Sequence, residues 1–284
     1  MTSTLVLVAT PIGNLGDLPP RAVQALQGAA VICCEDTRRT GRLLSHFGIS
    51  GVRMAVANEH TEQACTDQVL RLLGEGSDVA LVTDAGTPGI SDPGSRLVAA
   101  AIEAGHQVSA IPGPTALIMA LVISGFDTTR FVFDGFLPRS GADRTRRLAD
   151  VAQQSRTTVL YEAPHRLART VADLAAACGL DRRVALAREL TKLHEETWRG
   201  TLDGAVAHVA AVEPRGEYVI VLDGAPASAP ATDDDLRAAL TAHRTGGSDR
   251  RTAVASVIDR HRVPKRRVYD LALQVFGQPV GDPS

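Results

Sequence analysis

Short apolar runs of strand length alternate with helix-like segments through the first part of the chain, and this alternation is the strongest constraint on its fold. The runs lie at residues 4–9, 31–34, 52–57, 78–83 and 107–111. Parallel strands that are buried on both faces need continuous apolar sequence of this kind, with helices covering the sheet. The pattern therefore predicts a largely parallel α/β sheet.

Helix signals fill the intervals between these runs. Pro19 and Pro20 suit a first helical turn, residues 37–47 end before Gly48, and residues 95–104 end before Gly105. Proline at a helix start and glycine just past a helix end are the expected terminators. The intervals are therefore predicted to be helices.

The same pattern restarts after Gly125. Strand-like runs lie at 130–133, 157–161, 183–187 and 217–222, and a helix is predicted over 163–177. We therefore predict two α/β domains, at residues 1–124 and 125–223.

Residues 224–231, with the sequence GAPASAPA, have the composition of a linker. Thr232 and Asp235 follow at the spacing of a capping box, and helices are predicted at 248–260 and 264–276 around a turn at 261–263. The sequence thus predicts a small helix-turn-helix-like module over 232–284.

Basic residues are concentrated in this module, although the whole chain carries a net charge of only −2. Between residues 250 and 267 they are Arg250, Arg251, Arg260, Arg262, Lys265, Arg266 and Arg267, against the single acid Asp259. The segment carries +6 and the rest of the chain −8. Such asymmetry indicates a surface that meets phosphate, although a solvated helix face gives the same pattern.

Targeting signals and metal motifs are not expected. No basic region precedes the apolar residues 5–8, and the apolar run 116–123 is far shorter than the ~20 residues of a membrane span. The four cysteines form no CxxC pair, so we expect reduced core thiols, no metal and a cytoplasmic location.

Three loops rich in glycine and proline follow predicted strands, at residues 10–16, 84–94 and 112–115. Ligands of open parallel sheets bind beyond the carboxyl ends of the strands, where glycine lets the backbone approach closely. One such loop is an ordinary turn, but three at successive strand ends predict a pocket. Their glycine spacing matches neither a P-loop nor a dinucleotide fingerprint.

These loops belong to a longer series of motifs. The segments are VATPIGNLGDL (8–18), CEDTRRT (34–40), VTDAGTPGISDPG (82–94), IPGPTA (111–116), FDGFLPR (133–139), LYEAPHRL (160–167), ARELTKLHEE (187–196) and RGEYVIVL (215–222). In their order along the chain and in their residues, these motifs resemble those of the 16S ribosomal RNA 2′-O-methyltransferase I family of the tetrapyrrole methylase superfamily.

The resemblance implies two α/β domains of the tetrapyrrole methylase type with S-adenosylmethionine in the cleft between them, and usually a homodimer. It implies methylation of a ribose 2′-hydroxyl, in a cytidine of the decoding region, within 16S rRNA of the small ribosomal subunit. The cofactor-binding residues that it implies are Asp84, Ala85, Gly86, Thr87, Ile90, Pro112, Gly113, Pro114, Thr115, Tyr161, Glu162, Ala163, Glu217 and Tyr218.

Many relatives carry a GPG loop where this chain has Pro11, Ile12 and Gly13, so we expect Pro11, Gly13 and Asn14 to face the RNA substrate. Arginine side chains are the other expected RNA contacts because they bind phosphate. They are Arg38 and Arg39 after a strand, Arg139, Arg144, Arg146 and Arg147 in a predicted loop near the cleft, and Arg250, Arg251, Lys265, Arg266 and Arg267 in the tail.

A ribose hydroxyl is a weak nucleophile, so a nearby base or cation would assist its attack. The catalytic candidates are Lys192, Glu189 and His165. Lys192 would take the proton if its pKa were lowered, or would stabilise the alkoxide if charged. The alternatives are an ordinary surface ion pair for Glu189 and Lys192, and a helix-start role for His165.

Two other functions remain open from the sequence. One is C-methylation of a tetrapyrrole, a reaction that would not require the basic tail. The other is a non-catalytic ribosome assembly factor, for which the intact glycine loops would have no use. Binding of S-adenosylmethionine separates the second from the enzymes.

Overall fold

The computed structural model describes residues 3–57, 61–226, 231–261 and 263–277. The chain divides into two compact units, Met1–Ala225 and Pro226–Ser284. Both predicted α/β domains lie in the first unit, and the predicted helical module lies in the second. Residues 227–230 of the predicted linker, Arg262 of the basic run and residues 278–284 of the tail lie outside the described residues.

The first sheet is entirely parallel, as the apolar runs predict. Its strands are β1 (Thr4–Val8), β2 (Val31–Cys34), β3 (Arg53–Val56), β4 (Val79–Val82) and β5 (Gln107–Ile111). They are arranged in the order β3-β2-β4-β1-β5. All five predicted runs form strands, with ends that differ by no more than a residue or two.

Four helices cover the two faces of this sheet: α1 (Pro20–Gly28), α2 (Thr37–His46), α3 (Glu62–Gly74) and α4 (Ser95–Glu103). Successive strand residues point to opposite faces. Accordingly Cys33 packs in the core that includes residues of α3 and α4, whereas Ile32 packs in the core that includes residues of α1 and α2. Both faces of the sheet are therefore buried.

The second sheet is mixed. Its strands are β6 (Phe131–Phe136), β7 (Thr157–Glu162), β8 (Arg183–Arg188), β9 (Glu196–Thr201) and β10 (Tyr218–Leu222), in the order β6-β7-β10-β8-β9. Only β6 and β7 pair in parallel. The polar edge strand β9 was not predicted, because its sequence ETWRGT contains no apolar run.

Helices α5 (Ala116–Ser124), α6 (Gly141–Gln153), α7 (Pro164–Cys178) and α8 (Leu202–Ala211) accompany the second sheet. Leu117 and Leu121 of α5 pack with strand residues on one face, and residues of α6 to α8 pack on the other. Gly125 ends α5 in the left-handed conformation, with φ 82°. Helix α5 thus precedes the predicted boundary at 125 yet packs on the second sheet.

The second unit contains three helices within its described residues: α9 (Asp233–Thr245), α10 (Arg250–His261) and α11 (Lys265–Gly277). The capping box of Thr232 and Asp235 is formed, as predicted. Leu236, Val257 and Leu271 contribute one residue from each helix to a shared apolar core. In the described part of the chain, no helix combines the length and apolarity that a membrane crossing requires.

Candidate active site

The three glycine- and proline-rich loops meet at the carboxyl ends of β1, β4 and β5. The Thr10 N–H donates to the Gly86 carbonyl at 2.8 Å, and the Gly86 N–H donates back to the Thr10 carbonyl at 3.0 Å. The Thr87 hydroxyl donates to the Pro114 carbonyl at 3.3 Å. The convergence that the sequence predicts is therefore present.

Two glycines make this convergence possible. Gly86 has φ +86°, and a Cβ there would lie 3.5 Å from Ile12 Cγ2. A Cβ on Gly113 would lie 2.9 Å from the Cβ of Ala9, closer than real Cβ atoms approach. A larger residue at Gly113 would force the loops apart, whereas a larger residue at Gly86 would strain the backbone.

A cavity of about 360 Å³ opens beside these loops and extends to the second sheet. The predicted cofactor residues that line it are Asp84, Ala85, Gly86, Thr87, Ile90, Thr115, Tyr161, Glu162, Ala163, Glu217 and Tyr218. Pro112, Gly113 and Pro114 support the adjoining loop instead of lining the cavity. The predicted substrate residue Arg39 and the predicted catalytic residues Glu189 and Lys192 also line it.

Several other residues that line the cavity were not predicted from the sequence: Ile12, Glu35, Ser91, Asp92, Ala116, Phe136, Ala187, Leu190 and Val219. Glu35 had a usable signal, because it directly follows β2 and the carboxyl ends of neighbouring parallel strands share one edge. Asp92 lies within one of the predicted loops. The apolar residues that line the cavity belong to strands and helices whose sequences are typical of a hydrophobic core.

Carboxylates outnumber cations in the cavity wall. The carboxylates are Glu35, Asp84, Asp92, Glu162, Glu189 and Glu217, and the cations are Arg39 and Lys192. Burial, together with the charges of Glu35, Asp84 and Glu217, raises the pKa of Asp92 to about 6. A wall of this composition favours a ligand that carries positive charge.

Thr83 joins two of these carboxylates. Its Oγ1 lies 2.7 Å from Asp92 Oδ2 and also contacts Glu35 Oε1, which accepts a hydrogen bond from the Asp84 N–H at 3.2 Å. A hydroxyl has one proton, so Thr83 can donate to only one of these two carboxyl groups at a time.

The turn that carries Glu189 and Lys192 is held in a strained conformation. Lys192 Nζ donates to Glu189 Oε1 at 2.8 Å. Glu189 has φ 51° and Thr191 has φ 67°, values that side-chain-bearing residues rarely adopt. Ser91, at the cavity wall, has φ 61°. Strain of this kind clusters at functional sites, where the surrounding structure maintains it.

Two glycines leave room for this ion pair. A Cβ on Gly216, which has φ +73°, would collide with the Glu189 carboxylate, and a Cβ on Gly13 would collide with the Lys192 side chain. The Asn14 N–H donates to Thr191 Oγ1 at 3.1 Å. The predicted substrate loop, with Gly13 and Asn14, therefore packs directly on the turn that holds Lys192.

His165 is the second residue of α7, and its side chain is exposed. It does not line the cavity. No side chain caps the start of this helix, so His165 does not act as a cap either. We therefore retain only Glu189 and Lys192 as catalytic candidates.

The predicted loop at 139–147 is wrong, because α6 begins at Gly141. Arg144 is only 4% exposed, and its guanidinium donates to Asp173, Thr170 and the Pro138 carbonyl at 2.8 to 3.0 Å. A buried guanidinium with these partners cannot reach RNA, so the RNA contact predicted for Arg144 is corrected to a structural role.

The other side chains that were predicted to contact RNA are at least partly exposed to solvent. Arg38 pairs with Asp36 at 3.1 Å, Arg39 pairs with Asp84 at 3.4 Å, and both guanidinium groups remain mostly exposed. The remaining exposed side chains are Arg139, Arg146, Arg147, Arg250, Arg251, Lys265 and Arg266. Arg267 is half-buried, and it donates to Asp233 at 2.8 Å.

Comparison with known proteins adds independent information. The family model described as Tetrapyrrole (Corrin/Porphyrin) Methylases matches residues 4–206. A protein of Synechocystis named ribosomal RNA small subunit methyltransferase I is 47% identical over 273 residues, covering 95% of this chain and 98% of its own. A protein of the same name from Escherichia coli O157:H7 is 40% identical, covering 96% of each chain.

Among solved structures, uroporphyrin-III C-methyltransferase from Thermus thermophilus, complexed with S-adenosyl homocysteine, has a TM-score of 0.56 and 16% identity. The match covers 78% of this chain and 97% of that one. Similarity at this level establishes a shared fold.

Proposed function

Since this chain belongs to the tetrapyrrole methylase family, alongside the ribosomal RNA small subunit methyltransferases I, we propose that it transfers a methyl group from S-adenosylmethionine to a ribose 2′-hydroxyl of 16S rRNA. We propose a cytidine of the decoding region as the target. The carboxylate-rich cavity at the meeting point of the three loops is the observation that carries the proposal.

The cavity fits this cofactor in charge. S-adenosylmethionine has a sulfonium and an ammonium group, which suit a wall with more carboxylates than cations. When bound, the cofactor supplies an electrophilic methyl group on sulfur. The complex of the Thermus structural neighbour with S-adenosyl homocysteine supports the same assignment.

Separate parts of the wall would hold separate parts of the cofactor. Backbone groups of the 84–94 loop and of Thr115 would bind its polar groups, because glycine at position 86 lets the backbone approach closely. Tyr161 would cover it from the second sheet, where its hydroxyl accepts a hydrogen bond from the Leu117 N–H at 3.2 Å. That bond fixes the ring in place.

Lys192 would act on the substrate oxygen. Its Nζ is paired with Glu189 Oε1 at 2.8 Å, so we propose that Lys192 acts as a cation that stabilises the ribose oxygen while the hydroxyl proton is released to solvent. Positioning would supply the rest of the barrier reduction, because holding the nucleophile in the correct orientation lowers the activation free energy by up to roughly 7–11 kcal/mol.

Exposed arginines of each unit would contact the RNA. Arg38 and Arg39 lie beside the cavity, and the basic residues of α10 and α11 would contact phosphates elsewhere on the small subunit. A cytoplasmic homodimer is part of the proposal. Val122, 55% exposed, and Leu193, 92% exposed, are apolar side chains that a partner subunit could cover.

The two alternatives are less favoured. Relatives at 40% and 47% identity over nearly the whole chain are named as ribosomal RNA methyltransferases, and the tetrapyrrole enzyme is similar only at 16%. An assembly factor without catalysis would have no need of the strained Glu189–Lys192 turn.

Transfer of labelled methyl from S-adenosylmethionine to small subunits of a strain lacking this protein tests the proposal. We expect incorporation at one ribose, located by mapping the 2′-O-methyl group. Incorporation into a base, into protein or into none of the subunit components would contradict it.

A further inference from the structure

A second pocket, of about 260 Å³, adjoins the cofactor cavity. Arg39 and Asp84 line both spaces, so their ion pair forms a shared wall. The rest of the second pocket includes Pro11 of the substrate loop and Arg42 of α2. A group bound there would lie directly beside the cofactor.

Arg42 is the cation of this pocket that has no partner among the described residues. It lies one turn beyond Arg38 and Arg39 on α2, and both of those pair with carboxylates. Arg42 is exposed and makes no ion pair or hydrogen bond with any residue that the structure describes. An unpaired guanidinium at a pocket rim is well suited to a bidentate contact with phosphate.

The remaining walls suit a sugar and a base. Pro11, Leu15 and Leu43 give an apolar surface, and Leu15 is 39% exposed at the rim. Asp84 Oδ1 accepts no hydrogen bond within the described residues, although it is buried. A nucleoside has hydroxyl and amino groups that donate to such an oxygen, whereas a phosphate diester has no donor.

We propose that the second pocket receives the target nucleoside of the RNA, with Arg42 on an adjacent phosphate and Asp84 Oδ1 accepting a hydrogen bond from the sugar or base. This inference rests on the proposed function, and it adds Arg42 as a substrate-positioning residue and Leu15 as part of the pocket rim. The shared Arg39–Asp84 wall would bring the bound ribose next to the cofactor.

The first test compares Arg42→Ala with Arg71→Ala. Arg71 is an exposed arginine on α3, the helix that covers the opposite face of the same sheet. We expect Arg42→Ala to raise KM for small subunits on the order of 10-fold and to lower the salt slope by roughly one phosphate contact. Its kcat and its Kd for S-adenosylmethionine should match the parent, and Arg71→Ala should change none of these values.

The second test replaces Leu15 with photoreactive benzoylphenylalanine and maps the nucleotide that crosslinks in the small subunit. The expected adduct lies at the methylated nucleotide or its immediate neighbour. Crosslinks only at distant nucleotides, or an Arg42→Ala enzyme with parental KM and salt slope, would overturn the inference. If the parent enzyme itself bound no cofactor or methylated no ribose, the proposed function would fail instead.

Discussion

The carboxylate of Glu189 accepts a hydrogen bond from Lys192 Nζ at 2.8 Å while the Glu189 backbone has φ 51°, so the pair is fixed by a strained turn at the cavity wall. Ordinary surface ion pairs have no such support and contribute little. This arrangement holds one ammonium group between the cavity and the loop that contains Gly13.

Replacing Lys192 with alanine should lower kcat by about 10²–10³-fold, because the charge that stabilises the reacting oxygen is lost. The Kd for S-adenosylmethionine should change much less. Single-turnover methylation of small subunits and calorimetry measure the two effects. Single-turnover rates equal to the parent would remove Lys192 from the mechanism.

Replacing Gly216 with alanine should displace Glu189, because the new Cβ collides with its carboxylate. We expect a loss of turnover together with about 1–3 kcal/mol of destabilisation from the strained φ. Gly48→Ala is the matched control, since Gly48 has φ +67° with open space around its Cβ position. If both variants kept parental turnover, the packing of Gly216 against Glu189 would have no catalytic importance.

The affinity for S-adenosylmethionine should depend on pH through Asp92. Burial, followed by the charge of Glu35, raises the pKa of Asp92 to about 6, so the group is neutral below that pH and negative above it. Affinity for a cationic ligand should therefore rise between pH 5 and pH 7. Calorimetry across this range should show the rise in the parent and a flat profile in Asp92→Asn; an equal rise in both would assign the titration to another group.

Deleting residues 232–284 should weaken binding to small subunits and reduce its salt dependence. Each phosphate contact that is lost lowers the slope of log K against log salt by about 0.7–0.9. Filter binding at several salt concentrations measures this slope. A slope identical to that of the full chain would show that the basic helices do not anchor the RNA.

Much of the fold could be predicted because burial dictates sequence in parallel strands. Strand β2 is buried along its whole length, and its predicted and observed limits coincide. Strand β9 was missed because it lies at a sheet edge and none of its residues is fully buried, so it needs no apolar run. Helix α5 was missed because its run ALIMALVI is apolar at every position and therefore has no helical period.

The site could be predicted only in part. The glycine loops were visible because backbone that approaches a ligand needs glycine, whereas Glu35 and Asp92 become neighbours only through Thr83. Arg144 was assigned to RNA because a run of arginines normally faces solvent. Its partner Asp173 lies 29 residues further along the chain, on α7, and the sequence does not show that the two side chains meet.

Calorimetry with S-adenosylmethionine on Gly86→Val tests the central claim most directly. Gly86 has φ +86° and its Cβ position faces Ile12, whereas Gly89, in the same loop, has φ +81° and open space around it. We predict saturable binding by the parent and by Gly89→Val, and no measurable binding by a folded Gly86→Val. Parental affinity in Gly86→Val would contradict a cofactor site built on these converging loops.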